Sequence, residues 1–140
     1  MQPGVSTSHL DFELSERFQR LKGELDFSSF GLNFMHLAPG QRGRIHRHES
    51  QEEVYVVLEG KLSIEIEGGD VIELDRGGLA RVAPELRRQL SNRGPEPVRF
   101  LSVGGAGAHE SRDGVAFEDW SETEGRAPQE VPLPEDLRSG

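Results

Sequence analysis

The sequence predicts an all-β fold, a small sandwich or barrel, on three observations. Short apolar or alternating runs follow one another from Phe27 to Val103. Clusters of Gly, Pro and Asp ("EGGD", "DRGG", "NRGPEP") separate them at the close spacing of turns between strands. In "KLSIEIE" the alternation is unbroken: Leu62, Ile64 and Ile66 fall on one face, Lys61, Ser63, Glu65 and Glu67 on the other.

The elements follow in chain order. Leu14, Phe18 and Leu21 recur at helical spacing, with Ser15 placed as a cap and Gly23 as a stop, so a short helix is expected in an N-terminal arm, residues 1–23. Strands are then expected at "FGLNFMHL", ended by "APG", at "EEVYVVL", ended by "EG", and at "KLSIEIE", "DVIEL", "LARVA" and "VRFLSV". Together they place the barrel at residues 24–104. Residues 105–140 make a C-terminal arm. In it "GGAGAHE", with His109, reads as a flexible exit from the barrel, and "FEDW" (Phe117 to Trp120) as an apolar latch. After Trp120 the chain turns acidic and proline-bearing, which predicts a tail that is disordered or lies extended over the surface.

"EEVYVVL" is apolar on both faces, with Tyr55 and Val57 on one and Val54, Val56 and Leu58 on the other. A strand apolar on both faces is covered on both. A homodimer through this sheet is the preferred expectation, ahead of cover by the chain's own tails.

Composition narrows the function classes. A net charge of -9, from 16 basic and 25 acidic residues, disfavours nucleic acid and anionic membrane surfaces alike. With no cysteine there is no disulfide frame or thiol nucleophile, and any metal must be held by nitrogen and oxygen. No apolar run approaches the roughly 20 residues of a membrane helix, and the N-terminus lacks the basic and apolar regions of a signal peptide. A soluble cytoplasmic protein is the expectation. A serine-hydrolase elbow, a P-loop and a dinucleotide fingerprint are all absent, so no organic cofactor is expected.

The chemistry concentrates in "GQRGRIHRHESQEEVYVVLEG". On a strand, residues i and i+2 share a face, so His46 and His48 can converge on one ion, and a carboxylate of the next strand can add a third ligand. Such a set suits one divalent transition metal: Fe, Mn, Ni, Cu or Zn. Gly40, His46, His48, Glu53 and Gly60 fit the spacing G(X)5HXH(X)3,4E(X)6G without a gap. In this the segment resembles the first signature of the cupin superfamily, and the count selects Glu53 over Glu52. The resemblance covers about Phe27 to Val103. It implies a double-stranded β-helix, or jelly-roll barrel, with a pocket among inward side chains, and often a dimer.

The second cupin signature, G(X)5PXG(X)2H(X)3N, fits poorly. Aligned to Asn92, it puts Ala83 at its proline, Glu85 at its glycine and Arg88 at the histidine that the resemblance makes the fourth metal ligand. Arginine stays protonated and cannot ligate a cation. Turned inward, Arg88 opposes metal and takes Glu53 as its partner; turned outward, it leaves two His and one Glu as a facial triad. His36 is a candidate replacement ligand or, as an isolated strand histidine, a wall residue. Phe34, His36, Tyr55, Arg81 and Arg88 are the candidate pocket residues. Inward arginines would favour an anionic ligand through bidentate hydrogen bonds, with Arg81 the better candidate and Arg44 more readily a surface residue. Two functions stand: a barrel that binds a small anionic molecule, with a divalent metal at His46, His48 and Glu53, or a metal-dependent oxygenase or isomerase of a small molecule.

Overall fold

The computed structural model describes residues 3–105 and 113–137. Its strands are β1 (Phe18–Arg20), β2 (Gly31–Leu37), β3 (Ile45–His48), β4 (Glu52–Glu59), β5 (Leu62–Ile66), β6 (Val71–Leu74), β7 (Leu79–Val82), β8 (Arg88–Ser91), β9 (Val98–Gly105) and β10 (Gly114–Phe117). They form two five-stranded antiparallel sheets, ordered β1-β2-β9-β4-β7 and β10-β3-β8-β5-β6. This is an all-β double-stranded β-helix. Among the described residues, no helix is long and apolar enough to cross a membrane.

Leu37, Tyr55, Val57, Val98 and Phe100 of the first sheet meet Leu62, Ile64 and Leu90 of the second in one buried core. Register decides which residues point there, because directly opposed residues on neighbouring strands share a face. Met35 and Val57 both lie opposite Phe100, and Tyr55 lies opposite Ser102, so these side chains share the inner face.

Two glycines of the motif are fixed by geometry. Gly40 has φ 85° and follows Pro39 in a turn closed by Gln41 N–H donating to the Ala38 carbonyl at 3.0 Å, the Pro-Gly arrangement of a type II turn. Gly60 has φ 79°, and a Cβ there would lie 2.3 Å from the Pro97 carbonyl oxygen. No side chain fits. Asn92, which keeps the last position of the second signature as Gly77 keeps its first, is buried and donates to the Leu37 and Glu96 carbonyls.

The N-terminal helix is displaced from its expected place. Phe18–Arg20 is a strand, and the helix α1 covers Leu21–Leu25, with Gly23 inside it and Arg20, which makes no side-chain capping bond, ahead of it. A helical pattern this short is marginal alone. The edge of β2 instead offers ladder partners, and Phe18 pairs with Met35, Gln19 with Phe34 and Arg20 with Asn33.

The C-terminal arm is laid on the barrel. β10 pairs with β3 from Gly114 opposite His48 to Phe117 opposite Ile45. Phe117 is buried beneath the Arg87 guanidinium, 4.9 Å from its ring, and Arg87 also donates to the Trp120 carbonyl, which gives the "FEDW" latch its grip on the barrel. Beyond it the tail lies against the barrel, with one 3-10 turn at Pro128–Glu130: Val131 is only 2% exposed, and Leu137 N–H donates to the Gly40 carbonyl at 2.6 Å. "GGAGAHE" from residue 106 onward, with His109, lies outside the described residues.

Candidate metal centre

β3 and β4 lie inside the two different sheets, and the pairings of each strand aim its ligands. His46 and His48 alternate with Arg47 and so share the inner face of β3, while Glu53 shares the inner face of β4 with Tyr55 and Val57. One ligand atom from each of His46, His48 and Glu53 lies within 4.8 Å of the others. Glu53 Oε1 is 3.4 Å from His46 Nε2 and 3.2 Å from His48 Nε2.

The far side of each imidazole has a partner. His46 Nδ1 is 3.1 Å from the Arg44 carbonyl, to which it donates, so Nε2 is the nitrogen that faces Glu53. His48 Nδ1 is 3.4 Å from Asp113 Oδ2, an electrostatic contact at an angle short of a hydrogen bond. Asp113 is itself held rigidly, accepting from Ser50 N–H and Oγ–H and from Gln51 N–H. Burial raises its pKa, but those hydrogen bonds and the nearby His48 outweigh it and hold the carboxyl below its ordinary value. A carboxylate that orients a histidine from behind is the arrangement that supports metal-ligating imidazoles.

Glu53 is anionic. Burial pushes its pKa up, yet the neighbouring His46 and His48 hold it well below the carboxylate range. Tyr55 donates its phenol proton to Oε1, and Ser102 Oγ–H donates to Oε2 at 3.3 Å. Burial and the Glu53 charge push the Tyr55 pKa far up, so the phenol stays a donor. His48 Nε2 is buried with no hydrogen-bond partner. The donor set of two nitrogens and one oxygen could hold a divalent transition metal.

Arg88 resolves differently from both expected arrangements. It points inward, since it pairs with His46 on one side and Ile66 on the other, and it is 0% exposed. It does not take Glu53. Its guanidinium donates instead to the carbonyls of His46, Val82 and Ala83, the last at 3.0 Å. The third ligand is therefore left to the histidines.

Three expected pocket residues lie elsewhere. Phe34 and His36 are on the outer face of β2, opposite Leu101 and Arg99, and Phe34 is covered by Phe12 with ring centroids 5.1 Å apart. Burial and Arg99 lower the His36 pKa. Arg81 is on the outer face of β7, where it pairs with the exposed Glu52. Met35, next to Phe34, is the inner-face residue of β2 that lines the cavity.

The centre opens into two adjoining cavities of about 790 and 910 Å³ that share His48, Glu53, Met35 and Phe18. Arg17, Arg20, Lys22 and Arg44 line their outer parts. Sequence reasoning passed over Asp113, Ser102, Met35 and these cations, apart from Arg44, which it placed at the surface. Asp113 carries no local signal, because only the β3–β10 pairing brings it to His48.

The comparisons agree with this architecture. The Cupin domain family matches residues 33–104, just over half of the chain. A cupin protein from Bacteroides fragilis is 28% identical with a TM-score of 0.66, over 79% of this chain and 92% of that one. A structure described as a sugar phosphate isomerase from a cupin superfamily, from Silicibacter pomeroyi, is 27% identical with a TM-score of 0.60, over 84% of this chain and 79% of that one. The Cupin_2 domain of an XRE family transcriptional regulator from Enterobacter cloacae is 26% identical with a TM-score of 0.57, over 64% of this chain and 94% of that one. No curated protein matches. With its inward His46-x-His48 and Glu53, its two facing sheets and the match across 33–104, the chain belongs to the cupin family.

Proposed function

We propose that the barrel holds one divalent transition metal on His46, His48 and Glu53 and receives a small anionic organic molecule beside it. The observation that carries this reading is the ligand set itself: three ligand atoms within 4.8 Å, with both imidazoles turned by partners on Nδ1 so that Nε2 faces the carboxylate. A bound ion would supply Lewis-acid polarisation of an oxygen of the ligand. Tyr55 and Ser102 hold Glu53 in place, Asp113 orients His48, and Met35 and Phe18 give the cavity an apolar wall.

Isomerisation of a phosphorylated sugar is the second reading, favoured by the likeness to the sugar phosphate isomerase of Silicibacter pomeroyi at 27% identity. Buried Arg88 at the fourth-ligand position keeps the non-catalytic binder in front.

Elemental analysis of untagged protein decides the metal. About one equivalent of a first-row divalent ion is expected, lost in His46→Ala and in Glu53→Gln. Protein that stays metal-free after reconstitution with Fe, Mn, Ni, Cu and Zn would overturn the centre.

We also propose that a second copy of the chain covers the outer face of β4 and β7. Phe12 covers Phe34 at one end of that sheet, while Leu79 stays 65% exposed at the other, beside half-buried Val54 and Val56.

A further inference from the structure

We propose that Arg17 and Arg44 form an anion subsite at the mouth of the barrel, which grips the carboxylate or phosphate of the bound molecule while its other end lies at the metal centre. The inference deepens the proposed function and rests on its reading of the pocket, but the subsite itself needs no metal.

Both arginines line the cavity that contains His46, His48 and Glu53. Arg44 precedes β3 by one residue, in step with His46 and His48 along the same inner face. At about 3.3 Å per residue this sets its backbone roughly 7 Å from that of His46, the span of a small organic acid. Each guanidinium is fixed by one backbone acceptor: Arg44 Nε–H donates to the Val131 carbonyl at 2.6 Å, and Arg17 Nη1–H to the Arg42 carbonyl at 2.8 Å. A guanidinium pinned by one N–H keeps its remaining fork for a planar or tetrahedral oxyanion.

Two like charges have been brought together in a partly buried place. Burial lowers the Arg17 pKa, Asp136 opposes that, and the Arg44 charge adds to it. Among the described residues, the ion-pair partner of Arg17 is Asp136, 60% exposed and only just in reach at 4.0 Å. It is a loose counter-ion that a better-placed anion would displace. Glu53 and Glu130 are the acids lining this cavity, and Asp26, Glu53 and Asp113 line the adjoining one. Across the opening, Arg20 lies 5.0 Å over the ring of Phe18, which is 43% exposed despite facing inward with Met35. Arg17 and Arg20 belong to the N-terminal arm, before the family match at residues 33–104.

The test is a calorimetric titration of the full, metal-free chain with inorganic phosphate. Saturable binding is expected, weakened about tenfold or more in Arg17→Gln and in Arg44→Gln, as removal of a charge-assisted pair requires. Asp136→Asn should tighten it by removing the competing carboxylate, a gain that damage to the fold would not give. Arg47→Gln, on the outer face and paired with Glu49, should leave it unchanged. The proposal is overturned by no saturable binding at tens of millimolar phosphate, or by equal binding in wild type and Arg44→Gln. Because no metal is present, its failure is separate from failure of the metal centre, which elemental analysis reads.

Discussion

Arg88 carries a full positive charge at a position with no exposure and spends it on three backbone carbonyls. The charge raises the free energy of a cation held by the neighbouring His46, while the hydrogen bonds stabilise the β7–β8 connection. Removing it therefore has two opposed effects. In Arg88→His a repelling charge gives way to an imidazole at the fourth-ligand position, and metal affinity should rise at least about tenfold, measured by competition with a chelator. The same variant should lose about 1–3 kcal/mol of stability in denaturant unfolding of the metal-free chain, because the Val82 and Ala83 carbonyls lose their donor. Asp113 makes a second test. Its folded pKa is depressed, so its contribution to stability is present above the unfolded carboxylate value of about 3.9 and is lost as pH falls through the lower folded value. Asp113→Asn should thus destabilise the protein at pH 7 by about 1–3 kcal/mol, and the gap to wild type should close in acid.

At the level of elements, the strands that alternate or end in glycine were legible. β2, β5, β6 and β7 lie within the runs that predict them, while β4 runs one residue and β9 two residues beyond theirs. β8 was not, because "RQLS" carries two long polar side chains, and it becomes a fully buried strand only through its pairing with β5. The phase of β2 was illegible for a different reason. Leu32, Phe34, Met35 and Leu37 load both of its faces with apolar groups, so only the pairing with β9 says that Met35 enters the cavity and Phe34 leaves it. The ligands were readable because a fixed spacing on two strands defines them, whereas the support from Asp113 and the arginines depends on tertiary placement. Gly60 shows how rigid the β4–β5 corner is. Gly60→Ala should cost about 2 kcal/mol or more in equilibrium unfolding, since a positive φ and a Cβ 2.3 Å from the Pro97 oxygen cannot both be relieved locally.

For the whole molecule, the candidate metal site of His46, His48 and Glu53 faces the barrel interior and the apolar residues Val54, Val56 and Leu79 face outward. Sedimentation should give a dimer for the wild type, and Leu79→Glu should shift it to monomer without changing metal content. A wild-type monomer at tens of micromolar would remove the proposed interface. The pocket, by contrast, is finished within one chain by its two ends, since Arg17 meets Asp136 and Gly40 meets Leu137. The order of synthesis then matters. A nascent polypeptide leaving the ribosome presents both imidazoles and Glu53 long before β10 delivers the carboxylate behind His48. Ion loading tight enough to survive a competing buffer would then have to wait until β10 has been made and paired with β3.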